Sequence, residues 1–89
     1  MYIHLGQDTV VRKKDIIGIF DLDNATVSKR TRDYLTLAQK QGKVINVSTE
    51  LPKSFIVCYK DGQQIIYISQ ISTATLLKRS EAGIEYSLN

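Results

Sequence analysis

Apolar positions are densest between residues 54 and 69, where Ser54-Phe55-Ile56-Val57-Cys58-Tyr59 and Gln64-Ile65-Ile66-Tyr67-Ile68-Ser69 flank Lys60-Asp61-Gly62-Gln63. β-Branched and aromatic side chains suit a pleated surface. Gly62 reaches φ > 0 without steric cost and Asp61 tolerates it, so the pattern predicts a hairpin closed by a tight primed or short bulged turn. The runs are nearly continuous rather than alternating, which marks strands covered on both faces. A lone hairpin is marginal in water, so the rest of the chain must cover hairpin 54–69, the centre of the sheet.

Upstream, Tyr2-Ile3-His4-Leu5 reads as a short strand that stops at Gly6, with Gln7-Asp8 as turn. Thr9-Val10-Val11 and Ile16-Ile17-Gly18-Ile19-Phe20 read preferably as two strands joined by the charged loop Arg12-Lys13-Lys14-Asp15, with one bulged strand as the alternative, and Gly18 suggests a bulge or a close backbone approach. Asp21-Leu22-Asp23-Asn24 offers helix caps; Asn24 is preferred, and Asp23 or Thr26 would also serve. The helix is expected from about residue 25 to 41, ended by Gly42, with Val27, Thr31, Tyr34, Leu35 and Ala38 on one face and Leu37 at its margin. Val44 to Val47 is a further strand, and Pro52 pre-sets entry into the hairpin. Ser72 or Thr73 caps a second helix, about 72–81, with Leu76 and Leu77 inward and Lys78 and Arg79 outward; Gly83 ends it, and residues 84–89 read as a flexible tail or a partner-dependent strand. The expectation is one α+β domain over residues 1–89, a small, mostly antiparallel sheet with two helices.

Eighty-nine residues bury only about 60–65% of their unfolded surface, so the core is thin, and an exposed strand edge invites closed rotational assembly with other copies. No apolar run reaches the ~20 residues that span a bilayer. The N-terminus lacks a basic segment followed by an apolar one. A cytoplasmic protein with no membrane partner is expected. Cys58 is the only cysteine and reads as a buried structural thiol, His4 is the only histidine and reads as a satisfied strand residue, and no cofactor or metal is expected.

Gly18-Ile19-Phe20-Asp21-Leu22-Asp23, an apolar strand ending in Asp-x-Asp, resembles the first motif of haloacid-dehalogenase-type phosphatases. That chemistry also needs a distal acidic pair for Mg²⁺, and none follows. Asp21 and Asp23 are better explained as solvated turn residues favouring a helix N-terminus, so no enzyme and no small-molecule substrate is expected. Net charge is +3, a mild bias in which position matters more than total. Lys29, Arg30 and Arg32 read as a solvated helix exterior, whereas the triple cation Arg12-Lys13-Lys14 in a short connection is costly without a use. With Lys53 before the hairpin, it is the candidate phosphate-binding set. Tyr34, Tyr59 and Tyr67 read as core or interface residues rather than as a stacking platform.

Tyr2-Ile3-His4-Leu5-Gly6, Asp15-Ile16-Ile17-Gly18-Ile19-Phe20-Asp21, Pro52-Lys53-Ser54 and Ile71-Ser72-Thr73-Ala74-Thr75-Leu76 together resemble the RemA/RemB family of bacterial extracellular matrix (biofilm) regulators, closest to its RemB branch. The resemblance extends to about Arg79. It implies a LytTR-like domain that assembles into a ring-shaped homo-oligomer and binds double-stranded DNA through basic residues on the ring. The arginines that do so in RemA fall on Asp15, beside Lys14, and on Leu51 and Pro52, beside Lys53. Two functions follow: a DNA-binding transcription regulator using Arg12, Lys13, Lys14 and Lys53, or a protein-interaction scaffold with no nucleic-acid role.

Overall fold

The hairpin forms where the apolar runs place it. Strands 54–60 and 63–69 pair antiparallel from Ser54↔Ser69 to Lys60↔Gln63, and the turn has Asp61 at φ 53° and Gly62 at φ 76°, the double positive-φ signature of a type I′ turn. The structure is a computed structural model that describes residues 1–22 and 28–88, with side chains described to residue 81. In chain order the elements are β1 (Tyr2–Gly6), β2 (Thr9–Arg12), a 3-10 turn (Lys13–Asp15), β3 (Ile16–Asp21), α1 (Lys29–Lys40), β4 (Val44–Asn46), β5 (Ser54–Lys60), β6 (Gln63–Ser69) and α2 (Thr73–Leu88).

The fold is α+β, with one refinement. Instead of one sheet there are two: a two-stranded β1-β2 ladder and a four-stranded sheet in the order β3-β5-β6-β4. The 3-10 turn separates β2 from β3 and lets them join different ladders. β4 runs parallel to β6, so the larger sheet is mixed. Gly18 marks a bulge as expected: Ile16 pairs with Cys58 and Gly18 with Val57, leaving Ile17 as the extra residue.

The covered-on-both-faces reading of the hairpin holds, because successive side chains point to opposite faces. Phe55 and Val57 on β5 join Ile66 and Ala38 of α1, with Leu35, Val44 and Ile68 packed alongside. Ile56 and Cys58 face the other way, onto Ile3, Leu5, Val11, Val47 and Leu76. One sheet therefore separates two small cores, α1 over one and the β1-β2 ladder with α2 over the other.

Helix boundaries depart from expectation. α1 starts at Lys29, capped by Ser28, whose backbone is extended and whose side chain accepts from Thr31 N at 3.1 Å. The start expected near residue 25, its Asn24 cap and Val27 lie outside the described residues. The C-terminus is as read: Gly42 sits at φ 72°, and Lys43 N bonds Ala38 O while Gly42 N bonds Gln39 O, a Schellman motif. α2 is capped by Ser72, which accepts from Thr75 N at 3.3 Å. It continues through Gly83 to Leu88, so the tail expected from residue 84 is helical to Leu88. Leu76 is fully buried, but Leu77 is 54% exposed, a correction to the inward pair. Arg79 turns back to donate to His4 O at 2.9 Å.

Candidate nucleic-acid interface

The 3-10 turn that carries the triple cation is held from both sides. Lys13 N donates to Met1 O at 3.0 Å, and Ile16 N closes the turn onto Lys13 O. Arg12, the last residue of β2, bonds Asp15 twice, Nε to Oδ2 at 2.8 Å and a terminal nitrogen to Oδ1 at 3.2 Å. This forked pair spans the turn, and the hydrogen bond to Asp15 raises the Arg12 pKa above its ordinary value. Lys13 is half-buried and Lys14 exposed. Arg12 thus braces the turn while the two lysines project from it.

Lys53 is fixed differently. Its N–H donates to Ser69 O and its carbonyl accepts from Leu22 N, both at 2.8 Å, extending the hairpin ladder one residue beyond β5 and leaving the side chain exposed. β3 and β5 pair from Ile16↔Cys58 to Asp21↔Ser54. The 3-10 turn and Lys53 therefore stand at opposite ends of the pair, about 17 Å apart at the usual strand rise. One copy of the chain does not bring the predicted cations together. Leu51 and Pro52, beside Lys53, are exposed.

Lys60 was not singled out from the sequence, yet it belongs to the turn's end of the sheet. It lines a hollow of about 270 Å³ with Tyr2, Arg12, Asp15, Cys58 and Tyr67. The signal was available: the residue before the Asp61-Gly62 turn ends the strand whose antiparallel neighbour starts at Ile16. At the floor of this hollow, burial pushes the Cys58 thiol up to about 11, which keeps it protonated and poorly nucleophilic at neutral pH. His4 Nε2 donates to Gln7 O at 2.6 Å. Asp21 ends β3 opposite Ser54, and Asp23 lies outside the described residues. No three or more His, Cys, Asp or Glu side chains are grouped to hold a metal among the described residues. No described helix is long and apolar enough to cross a membrane.

Cation-bearing strand ends thus stand on a two-core α+β scaffold. The chain belongs to the RemA-like family, described as Extracellular matrix regulatory protein A-like, which matches residues 2–79. It is similar to Extracellular matrix regulatory protein B of Bacillus subtilis (strain 168), with 40% identity over 85 residues covering 96% of each chain. The resemblance read from the short apolar motifs is borne out, and the family is one of regulators.

Proposed function

We propose that this protein is a cytoplasmic transcription regulator of extracellular matrix genes that binds double-stranded DNA as a ring-shaped homo-oligomer. Lys13, Lys14 and Lys53 contact phosphates and Arg12 assists through its remaining N–H donors. The observation that carries the reading is the braced turn. Two adjacent lysines are mounted on backbone fixed by the Lys13–Met1 bond and the Arg12–Asp15 fork, so little beyond the lysine side chains must be ordered on binding. Membership in a family of regulators supports it. Each copy offers few cations, and those stand at opposite ends of a strand pair. Repetition around a ring converts them into an extended basic surface with high avidity.

The test is a salt-titrated binding measurement with fluorescently labelled duplexes of unrelated sequence. Lys13→Ala with Lys14→Ala is expected to weaken binding to all duplexes alike and to lower the slope of log K against log salt by about 1.8, at about 0.9 per phosphate contact. Unchanged affinity and slope in the double variant would remove the turn from the interface. Absence of duplex binding by the unaltered protein at low salt would favour the scaffold reading.

A further inference from the structure

α1 covers only part of its face of the sheet. A helix is about 10 Å wide with its side chains, and four strands at about 4.8 Å spacing are wider than that. The β3 side stays open, with the bulged Ile17 65% exposed and Phe20 46% exposed. Between β3 and α1 lies a groove of about 480 Å³, within the range of about 300–1,000 Å³ that small-molecule sites occupy. Phe20 and Phe55 form its floor, stacked with ring centroids 4.9 Å apart and planes 17° from parallel. The Phe20 ring lies over Gly18, where a Cβ would stand 2.6 Å from Cε2, so the glycine in the bulge is what lets the ring lie down on the sheet. Ile17, Val57 and the Tyr34 ring extend this apolar surface.

The polar groups stand on the α1 side, and they are donors. Arg30, Thr31 and Tyr34 line the groove there. Thr31 Oγ1 accepts from Ser28 Oγ at 3.0 Å, and Tyr34 Oη accepts from Gln64 Nε2 at 2.9 Å. Each of these two hydroxyls therefore keeps its own proton to give. Arg30 is the one charged residue of the described lining. The first turn of α1 holds no acid to compete for it, and it forms no ion pair among the described residues. With no carboxylate in that lining, a cationic ligand would meet apolar rings and a like charge. A second negative charge on a ligand would find no second cation in the groove.

We propose that the α1–β3 groove binds a small organic acid, one carboxylate on an apolar aromatic body. The body lies on Phe20, Ile17 and Val57. The carboxylate takes the planar fork of Arg30, the geometry that guanidinium and carboxylate share, with the Thr31 and Tyr34 protons beside it. The site goes beyond the DNA-binding reading and has no residue in common with the braced turn or Lys53.

The test is a TROSY NMR titration of the isotope-labelled full chain with γ-phenylbutyrate and, in parallel, with its neutral isostere γ-phenylbutyramide, in the absence of DNA. Saturable shifts are expected at the amides of Ile17, Phe20, Arg30 and Tyr34, with a Kd on the order of 1 mM for a ligand of this size. The acid should bind about fivefold more tightly than the amide, the upper end for a solvent-exposed ion pair. Arg30→Gln should bring the acid to the Kd of the amide and leave the amide unchanged. Ile17→Ser, at a position exposed enough for the fold to tolerate it, should weaken both probes at least about threefold through lost apolar contact, with circular dichroism confirming that both variants fold. Equal affinity for acid and amide in the unaltered protein overturns the proposal. So does the lack of saturable shifts up to about 20 mM, well above that Kd, and so do shifts centred on Lys14 and Lys60 instead. A Kd that rises with protein concentration would place a second copy of the chain in the groove and overturn it as well. Because no DNA takes part, each of these results leaves the DNA-binding reading where it stood.

Discussion

Ser54 and Ser69 are as fully buried as any isoleucine of the core. Each hydroxyl replaces a bond that a loop backbone would otherwise make to water. Ser54 Oγ donates to Ile71 O at 2.7 Å. Ser69 Oγ donates to Leu5 O at 2.6 Å and accepts from Ile71 N at 3.0 Å, tying β1, β6 and the approach to α2 together. Ser69→Ala strands a buried acceptor and a donor, so urea denaturation should show a loss of about 1–3 kcal/mol, larger than for Ser54→Ala, which strands one group. Cys58 sets a second expectation at this scale. Burial moves its pKa from 9.0 to about 11, so the folded chain holds the thiol proton to higher pH than the unfolded chain does. Stability from this group is intact below pH 9 and is lost as pH rises toward 11. At pH 8 the folded thiol has about a hundredfold less thiolate than the unfolded one, and labelling by a disulfide reagent should be correspondingly slow until urea is added. Neither serine announces itself in the sequence, because its value comes from partners 17 and 64 residues away.

Elements specified by local chemistry were legible. The Asp61-Gly62 turn, the Gly42 terminator of α1, the Gly18 bulge and the Ser72 cap each follow from one or two residues with distinctive backbone preferences. Elements decided by competition were not. Ser28 caps α1 although Lys29 and Arg30 follow it at the positive end of the helix dipole, a start that charge alone does not announce. Gly83 reads as a stop, yet one interior glycine costs only about 1 kcal/mol, and α2 runs through it. Leu76 and Leu77 lie about 100° apart around α2; Leu76 is fully buried in the core, and Leu77 is 54% exposed. The split into two sheets was hidden because the turn at Lys13–Asp15 looks the same in sequence whether it joins neighbours or separates ladders. The Ser28 cap gives the expectation for this scale. Ser28→Ala removes the bond to Thr31 N and should lower stability by about 0.5–2 kcal/mol. Thermal denaturation would report it, and Ser28→Asp should keep the cap.

For the molecule as a whole, the sequence identified cation-bearing positions but not their distribution. Arg12, Lys13 and Lys14 are close in sequence and stay together, and the antiparallel register adds Lys60 to that end. Lys53 is sent to the other end of β5 by the same register, a fact that no count of charges contains. If both ends touch one duplex on the assembled protein, their contributions are independent, because sites more than about 7–10 Å apart with no shared partner add within about 0.3–0.5 kcal/mol. Lys53→Ala should then weaken binding by the same factor in the unaltered background and in the Lys13→Ala, Lys14→Ala background. Each lysine removed should lower the salt slope by about 0.9. If only the braced turn meets DNA, Lys53→Ala leaves both affinity and slope unchanged. Lys60→Ala separates the two arrangements further, since it sits with the turn: it should follow Lys14→Ala when that end is in contact, whatever Lys53 does.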